Sequence, residues 1–281
     1  MRENQDEHYS VTEPIHITSP ADPRLDAYRN IRERDLSARE GIFIGETFVV
    51  LEAMLLRPMS IVSMLASSRM TARVHASAMT AQCEAPLYTV DDAVLEAVTG
   101  IDLHRGVLAV GRRADFEPCA MSDYAPSTPP RTVLVLEDCN NIDNIGQLFR
   151  IAAAFAVDAV LLSPSCHDPL YRKSLRVSTG NALKVTAIRA KEWPSDLREF
   201  CARFDLTLVA TAIQSSVPIA SLNPPSRVAI VVGHESNGVS DAVRALAQHT
   251  VRIPMSRGVD SLNVAVSAAL ALDRLSNGER I

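Results

Sequence analysis

The sequence has no uncharged apolar run approaching the length of a membrane-spanning helix. It opens Met1-Arg2-Glu3-Asn4-Gln5-Asp6-Glu7, which is unlike a secretory leader. A membrane or exported protein is therefore not expected, and the chain reads as cytoplasmic. Aromatic residues make up only 5% of the sequence, with one tryptophan, and they do not interleave with basic residues. A stacking platform for single-stranded bases is thus unsupported. The five cysteines, Cys83, Cys119, Cys139, Cys166 and Cys201, are scattered and form no C-x-x-C pair. That argues against a zinc module or disulfide scaffold and for a reduced protein. No G-x-G-x-x-G fingerprint and no G-x-S-x-G elbow occur, which demotes a nicotinamide oxidoreductase and a serine hydrolase. Nor is there a basic excess. Lys+Arg number 28 against 33 Asp+Glu, a net charge of -5, so any nucleic-acid contact must be a local surface.

What remains is globular: 281 residues, 47% hydrophobic and 22% charged, enough for two domains. The clearest seam is 114–131, where Pro118, Pro126, Pro129 and Pro130 are spaced by Ser122, Ser127 and Thr128. Proline removes a backbone donor and disfavours helix, so this stretch reads as a linker. It separates a polar tail, 1–18, and a small domain, 19–113, from a larger domain, 132–281. In the small domain the runs 41–45, 60–65 and 103–110 predict strands, and 47–56 predicts a helix with Thr47 as N-cap, together a mixed α/β unit. In the larger domain 132–137, 159–163, 206–211, 228–233 and 250–253 predict buried strands. Stretches 146–157, 240–247 and 262–275 predict helices. Short β-branched runs alternating with helices define a mostly parallel sheet covered on both faces, with ligands beyond the strands' carboxyl ends.

Three segments fall at such ends. In Asn140 to Arg150, Asn144 can cap a helix, Gly146 permits close backbone approach, and Arg150 presents a five-donor fork suited to phosphate. A capped helix with one structural salt bridge is the alternative, and for this block alone it is the simpler reading. In Gly233-His234-Glu235-Ser236-Asn237-Gly238, the first glycine leaves an open backbone shelf at a strand end, and Glu235 can accept from a ribose hydroxyl. A plain β-turn is the alternative. His234 and Glu235 lack a third ligand at useful spacing, so no metal is expected. In Ile253 to Val266, Ser261 can cap the following helix. Asn263, a poor helix former, sits where its amide can face the same pocket.

Taken in order, these segments resemble the three motifs of the SpoU (TrmH) family of the SPOUT superfamily of RNA methyltransferases. Asn144 to Arg150 reads as N-x-G-x-x-x-R, Gly233 to Gly238 as G-x-E-x-x-G, and Ile253 to Val264 as I-P-M-x5-S-L-N-V. The resemblance covers 132–275. More loosely, through His104 to Ala109, the small domain resembles the ribosomal-protein-like RNA-binding domain often fused to these enzymes. Gln147 departs from the small residue that many members carry there. The resemblance implies an α/β fold whose C-terminal part forms a deep trefoil knot, an exception to the rule against knots. It also implies S-adenosylmethionine-dependent 2′-O-methylation of a ribose in structured RNA, ribosomal RNA ahead of transfer RNA, by a homodimer. The cofactor would contact backbone at Thr211, Gly233, Ile253 and Leu262, with Met255 as apolar lining. Arg150 would face the target ribose, and Asn144, Glu235, Ser261 and Asn263 would organise the site.

Local basic surfaces accommodate the RNA. Residues 172–191 carry Arg172, Lys173, Arg176, Lys184, Arg189 and Lys191 with no acidic residue, and Arg105, Arg112 and Arg113 form a second patch. Arg105, Arg172, Lys173 and Arg176 are the phosphate-contact candidates, and a solvated helix face is the alternative for each. A rival reading of the whole chain is a catalytically silent RNA-binding or ribosome-assembly protein that keeps the fold. The complete set Arg150, Glu235, Ser261 and Asn263 argues against it.

Overall fold

The computed structural model describes residues 13–29, 31, 41–100, 103, 106–212, 217–256, 258 and 261–276. The chain forms two compact units, Met1–Phe116 with Leu170–Arg176, and Glu117–Pro169 with Val177–Ile281. Among the described residues no helix is long and apolar enough to cross a membrane.

In the first unit, strands β1 (Ile15–His16), β2 (Ile42–Glu46), β3 (Ile61–Ser67), β4 (Leu87–Val90) and β5 (Val107–Arg112) form one sheet in the order β1-β4-β3-β5-β2. β4 is parallel to β1 and β3, whereas β5 is antiparallel to β2 and β3. Helices α1 (Phe48–Met54), α2 (Thr71–Thr80) and α3 (Asp92–Thr99) complete this mixed α/β unit. Thr47 caps α1 by accepting from Val50 N, as its position predicts. Leu25, Tyr28, Leu65 and Leu108 lie in one of its buried clusters. The Tyr28 hydroxyl meets Ser63 Oγ at 2.7 Å. The expected tail, 1–18, is cut short, because Ile15 and His16 pair with β4 and Ile17 is buried. A two-residue strand is too brief to show alternation in sequence.

The second unit is built on eight strands: β6 (Cys119–Ala120), β7 (Thr132–Leu136), β8 (Ala159–Leu162), β9 (Ala187–Arg189), β10 (Thr207–Thr211), β11 (Val217–Pro218), β12 (Val228–Val232) and β13 (His249–Arg252). Their order is β11-β13-β10-β12-β7-β8-β9-β6, and every recorded pairing is parallel. Every residue of β7, β8 and β12 is buried, as a sheet covered on both faces requires. The covering helices are α4 (Ile142–Ala154), α6 (Ser195–Phe204), α7 (Asp241–Leu246) and α8 (Val264–Leu275), and α5 (Arg172–Val177) lies across the boundary of the two units in the chain. The expected linker, 114–131, is not a free connector. Cys119 and Ala120 pair with β9, and Tyr124 stacks on Phe200 at 5.8 Å between ring centroids. Strand order reverses between β7 and β12, and the site lies beyond the carboxyl ends of the strands on that side.

Candidate active site

β7 ends at Leu136, and the chain turns through Asp138, φ 54°, into α4. The cap of α4 is Asn141, whose side chain accepts from Asp143 N at 2.9 Å and Asn144 N at 3.2 Å. Asn144, expected as the cap, instead lies in the first turn, buried. The same substitution of roles occurs at α8. Asn263, not Ser261, is its N-cap, with Oδ1 accepting from Ala265 N at 2.8 Å. Asn and Ser are comparable capping residues, so sequence alone does not choose among neighbours.

This shift frees Asn144 for a longer connection. Its Nδ2 donates to Glu235 Oε1 at 2.6 Å, and its Oδ1 accepts from Asn263 Nδ2 at 3.0 Å. One residue from each of the three motifs is therefore joined in a single polar chain. Glu235 Oε2 has no hydrogen-bond partner among the described residues. Arg150 lies further along α4 on an exposed face shared with Gln147, three residues earlier, and makes no hydrogen bond or ion pair among the described residues.

Beside the chain opens a cleft at the carboxyl ends of β10, β12 and β13 and the start of α8. Thr211, Gly233, Ile253, Met255 and Leu262 all line it, as do Glu235 and Ser261. Gly233 cannot be another residue. A Cβ there would stand 2.3 Å from the Gly238 carbonyl carbon and oxygen and 2.5 Å from Val239 N. The turn it opens is closed by Gly238 N donating to His234 O at 2.8 Å. His234 also works inside the turn. Its Nδ1 accepts from Ser236 N at 3.0 Å and Asn237 N at 3.4 Å, which places the neutral ring's proton on Nε2. Sequence reasoning weighed His234 only as a metal ligand and missed this role. Its signal was a ring acceptor just before three polar residues and a glycine.

Cys139, buried just after β7, has its Sγ 3.8 Å from both Glu137 O and Gly233 O. The neighbouring Cys166 thiol and burial push the Cys139 thiol far above the usual cysteine range, so it is an inert packing group beside the site. The basic candidates fare differently. Arg172 and Arg176 both bind the buried carboxylate of Glu46, Arg176 at 2.9 Å. Lys173 lies between them on α5, and Arg105 falls outside the described residues.

A parallel sheet with a backbone-walled cleft at its carboxyl edge and a polar chain on the rim defines an α/β enzyme with a small-molecule site. The chain belongs to the SpoU rRNA methylase family, whose sequence profile matches residues 131–273, and it is an RNA methyltransferase of that family. An uncharacterised tRNA/rRNA methyltransferase of Mycobacterium bovis is 38% identical over 94% of this chain and 93% of its own length. The crystal structure of an RNA 2′-O ribose methyltransferase superposes with a TM-score of 0.74 at 29% identity, covering 92% of this chain and 96% of the other. The AdoMet-bound rRNA methyltransferase of Sinorhizobium meliloti shares the fold, with a TM-score of 0.78 at 20% identity over 93% and 97% of the two chains.

Proposed function

We propose that the protein 2′-O-methylates a ribose in structured RNA, ribosomal RNA ahead of transfer RNA, with S-adenosylmethionine bound in the cleft. The observation that carries the reading is the chain Asn263–Asn144–Glu235 on the rim of a cleft lined by all five residues assigned to cofactor contact. The lining suits such a ligand. Main chain at Thr211, Gly233 and Leu262 offers donors and acceptors to its nucleoside and amino-acid ends, and Ile253 and Met255 offer apolar surface. When bound, S-adenosylmethionine supplies a methyl group already activated by its sulfonium.

The protein's task is then positioning, which can supply much of a bimolecular rate. Arginine stays protonated at neutral pH and is a poor base, so Arg150 is assigned to the charge developing on the 2′-oxygen and to the adjacent phosphate. With no partner among the described residues, all five of its donors are assigned to that purpose. Glu235 Oε2 faces the same role from the acceptor side, holding a hydroxyl. Ser261 completes the rim. RNA phosphates are assigned to Arg105, Lys173 and the surplus positive charge where Arg172 and Arg176 share one carboxylate.

Further parts of the reading rest on the fold. β10 lies between β12 and β13, a crossing order that suits the trefoil knot of the SPOUT class. Leu262, Val266 and Leu270, four residues apart on or beside α8, are 36%, 46% and 43% exposed, an apolar stripe suited to a homodimer contact. Five free thiols suit a cytoplasmic enzyme.

The test is transfer of labelled methyl from S-adenosylmethionine to unmodified ribosomal and transfer RNA transcripts, with Arg150→Ala and Arg150→Lys in parallel. Alkali-resistant label that falls at least a hundredfold in both variants is the expected result. Cofactor binding without label in any transcript would return the protein to the silent RNA-binding class, and full turnover by Arg150→Lys would sink the bidentate role.

A further inference from the structure

Glu137, the residue immediately after β7, is 2% exposed and lies outside the cleft lining. Among the described residues, every hydrogen bond to its carboxylate comes from a donor. Oε1 accepts from Trp193 Nε1 at 2.8 Å and Ser240 Oγ at 2.7 Å, and Oε2 accepts from Ser240 N at 2.8 Å. A buried carboxylate whose recorded contacts are all donors is a structural anchor. Its own N–H donates to Val232 O at 2.9 Å. One residue thus grips both ends of the segment 232–240, by main chain at Val232 and by side chain at Ser240. Between those grips lie the glycine shelf, the His234-capped turn and Glu235, which form one wall of the cleft. The wall has no slack at its base, because Gly233 packs against Gly238 and Val239 too closely to admit a methyl group.

We infer that Glu137 is a positioning residue for the cofactor: by holding Ser240 it fixes the turn Gly233–Gly238 in the shape that receives S-adenosylmethionine. This rests on the reading that the cleft is the S-adenosylmethionine site. Trp193 shares the same carboxylate and has no recorded hydrogen bond to that turn among the described residues, which provides an internal control.

The experiment is calorimetric titration of the RNA-free protein with S-adenosylmethionine, with thermal melts alongside. Glu137→Gln keeps Oε1 for Trp193 and Ser240 Oγ but turns an NH2 group against Ser240 N–H, a donor facing a donor. The expected result is a roughly tenfold weaker dissociation constant, the scale of one buried hydrogen bond lost. Ser240→Ala keeps the N–H and loses Oγ, which also caps α7 by accepting from Val243 N at 3.2 Å, with roughly threefold weakening expected. Trp193→Phe should lower the melting temperature while leaving affinity within about twofold, since it spares the Ser240 contacts. An unchanged dissociation constant in Glu137→Gln would overturn the inference. So would equal weakening in Trp193→Phe, which is what a general structural role produces. Should Glu137→Gln not fold, Ser240→Ala decides by the same criterion. A wild-type protein that fails to bind S-adenosylmethionine contradicts the assignment of the cleft instead, so the two failures are told apart.

Discussion

Asn144 Nδ2 stands 2.6 Å from Glu235 Oε1, joining residues 91 positions apart, and the direction of that hydrogen bond is dictated by a helix cap. Asn263 spends its Oδ1 on Ala265 N, so its Nδ2 must face Asn144. Asn144 therefore presents Oδ1 to Asn263 and keeps Nδ2 for the carboxylate. The start of α8, the first turn of α4 and the turn 233–238 are set by one polar sequence. Asn144→Asp replaces the donor with a second carboxylate at the same distance, where like charges repel. Turnover in a single-turnover methyl-transfer assay should fall about a hundredfold, equivalent to about 2.7 kcal/mol. Loss of less than threefold would mean that the chain does not organise the reacting groups.

Two glycines in the turn 233–238 make opposite demands. A methyl group on Gly233 meets backbone at 2.3 Å, which cannot yield without moving the turn. Gly238 has open space around its missing Cβ but a φ of +66°. Gly233→Ala should abolish measurable S-adenosylmethionine binding and lower the melting temperature. Gly238→Ala should cost only the left-handed strain, roughly 1–2 kcal/mol, with weaker but detectable binding. Calorimetry and thermal melts on the two variants check the order, and equal effects would contradict it.

The ion pairs of Glu46 bear on which cations meet RNA. Its buried carboxylate is shared by Arg172 and Arg176 from far along the chain, a partnership that counting charges in 172–191 has no means to see. Arg172→Ala should therefore destabilise the fold by about 1–3 kcal/mol, the range for a buried group that loses a partner. Urea unfolding measures this. Unchanged stability with a shallower salt dependence of RNA binding would make Arg172 a phosphate contact instead.

These residues also mark what the sequence made legible. Strands β7, β8, β10 and β12 stand within a residue or two of their expected bounds, because short, almost wholly apolar runs suit a parallel sheet covered on both faces. The three motifs placed the rim residues for the same reason, each lying where a strand gives way to a turn. Missing were features of short length or long range. Strands β1 and β6 have two residues each, so no periodicity announces them. The caps Asn141 and Asn263 compete with equally good neighbours. Glu137 read only as a polar end to an apolar run, since its partners, Trp193 and Ser240, follow 56 and 103 residues later.

The core beneath the sheet makes a pH prediction. Tyr124 packs with Phe200 and Phe204, and burial raises its hydroxyl to about 12. Cys201 lies in the same cluster, and burial raises its thiol to about 12 as well. Both groups are neutral when protonated, and in the unfolded chain they ionise near 10 and 9. The folded state therefore holds these protons more tightly than the unfolded state, and unfolding releases them in alkali. Their contribution is complete below about pH 9 and is lost progressively as pH rises through about 12. Urea midpoints should be flat from neutral pH to about 9 and decline above it. Tyr124→Phe with Cys201→Ala should blunt the decline, although the cysteine change also opens a small cavity that lowers the whole curve. A double variant with the wild-type slope between pH 9 and 12 would assign the alkaline transition to other groups.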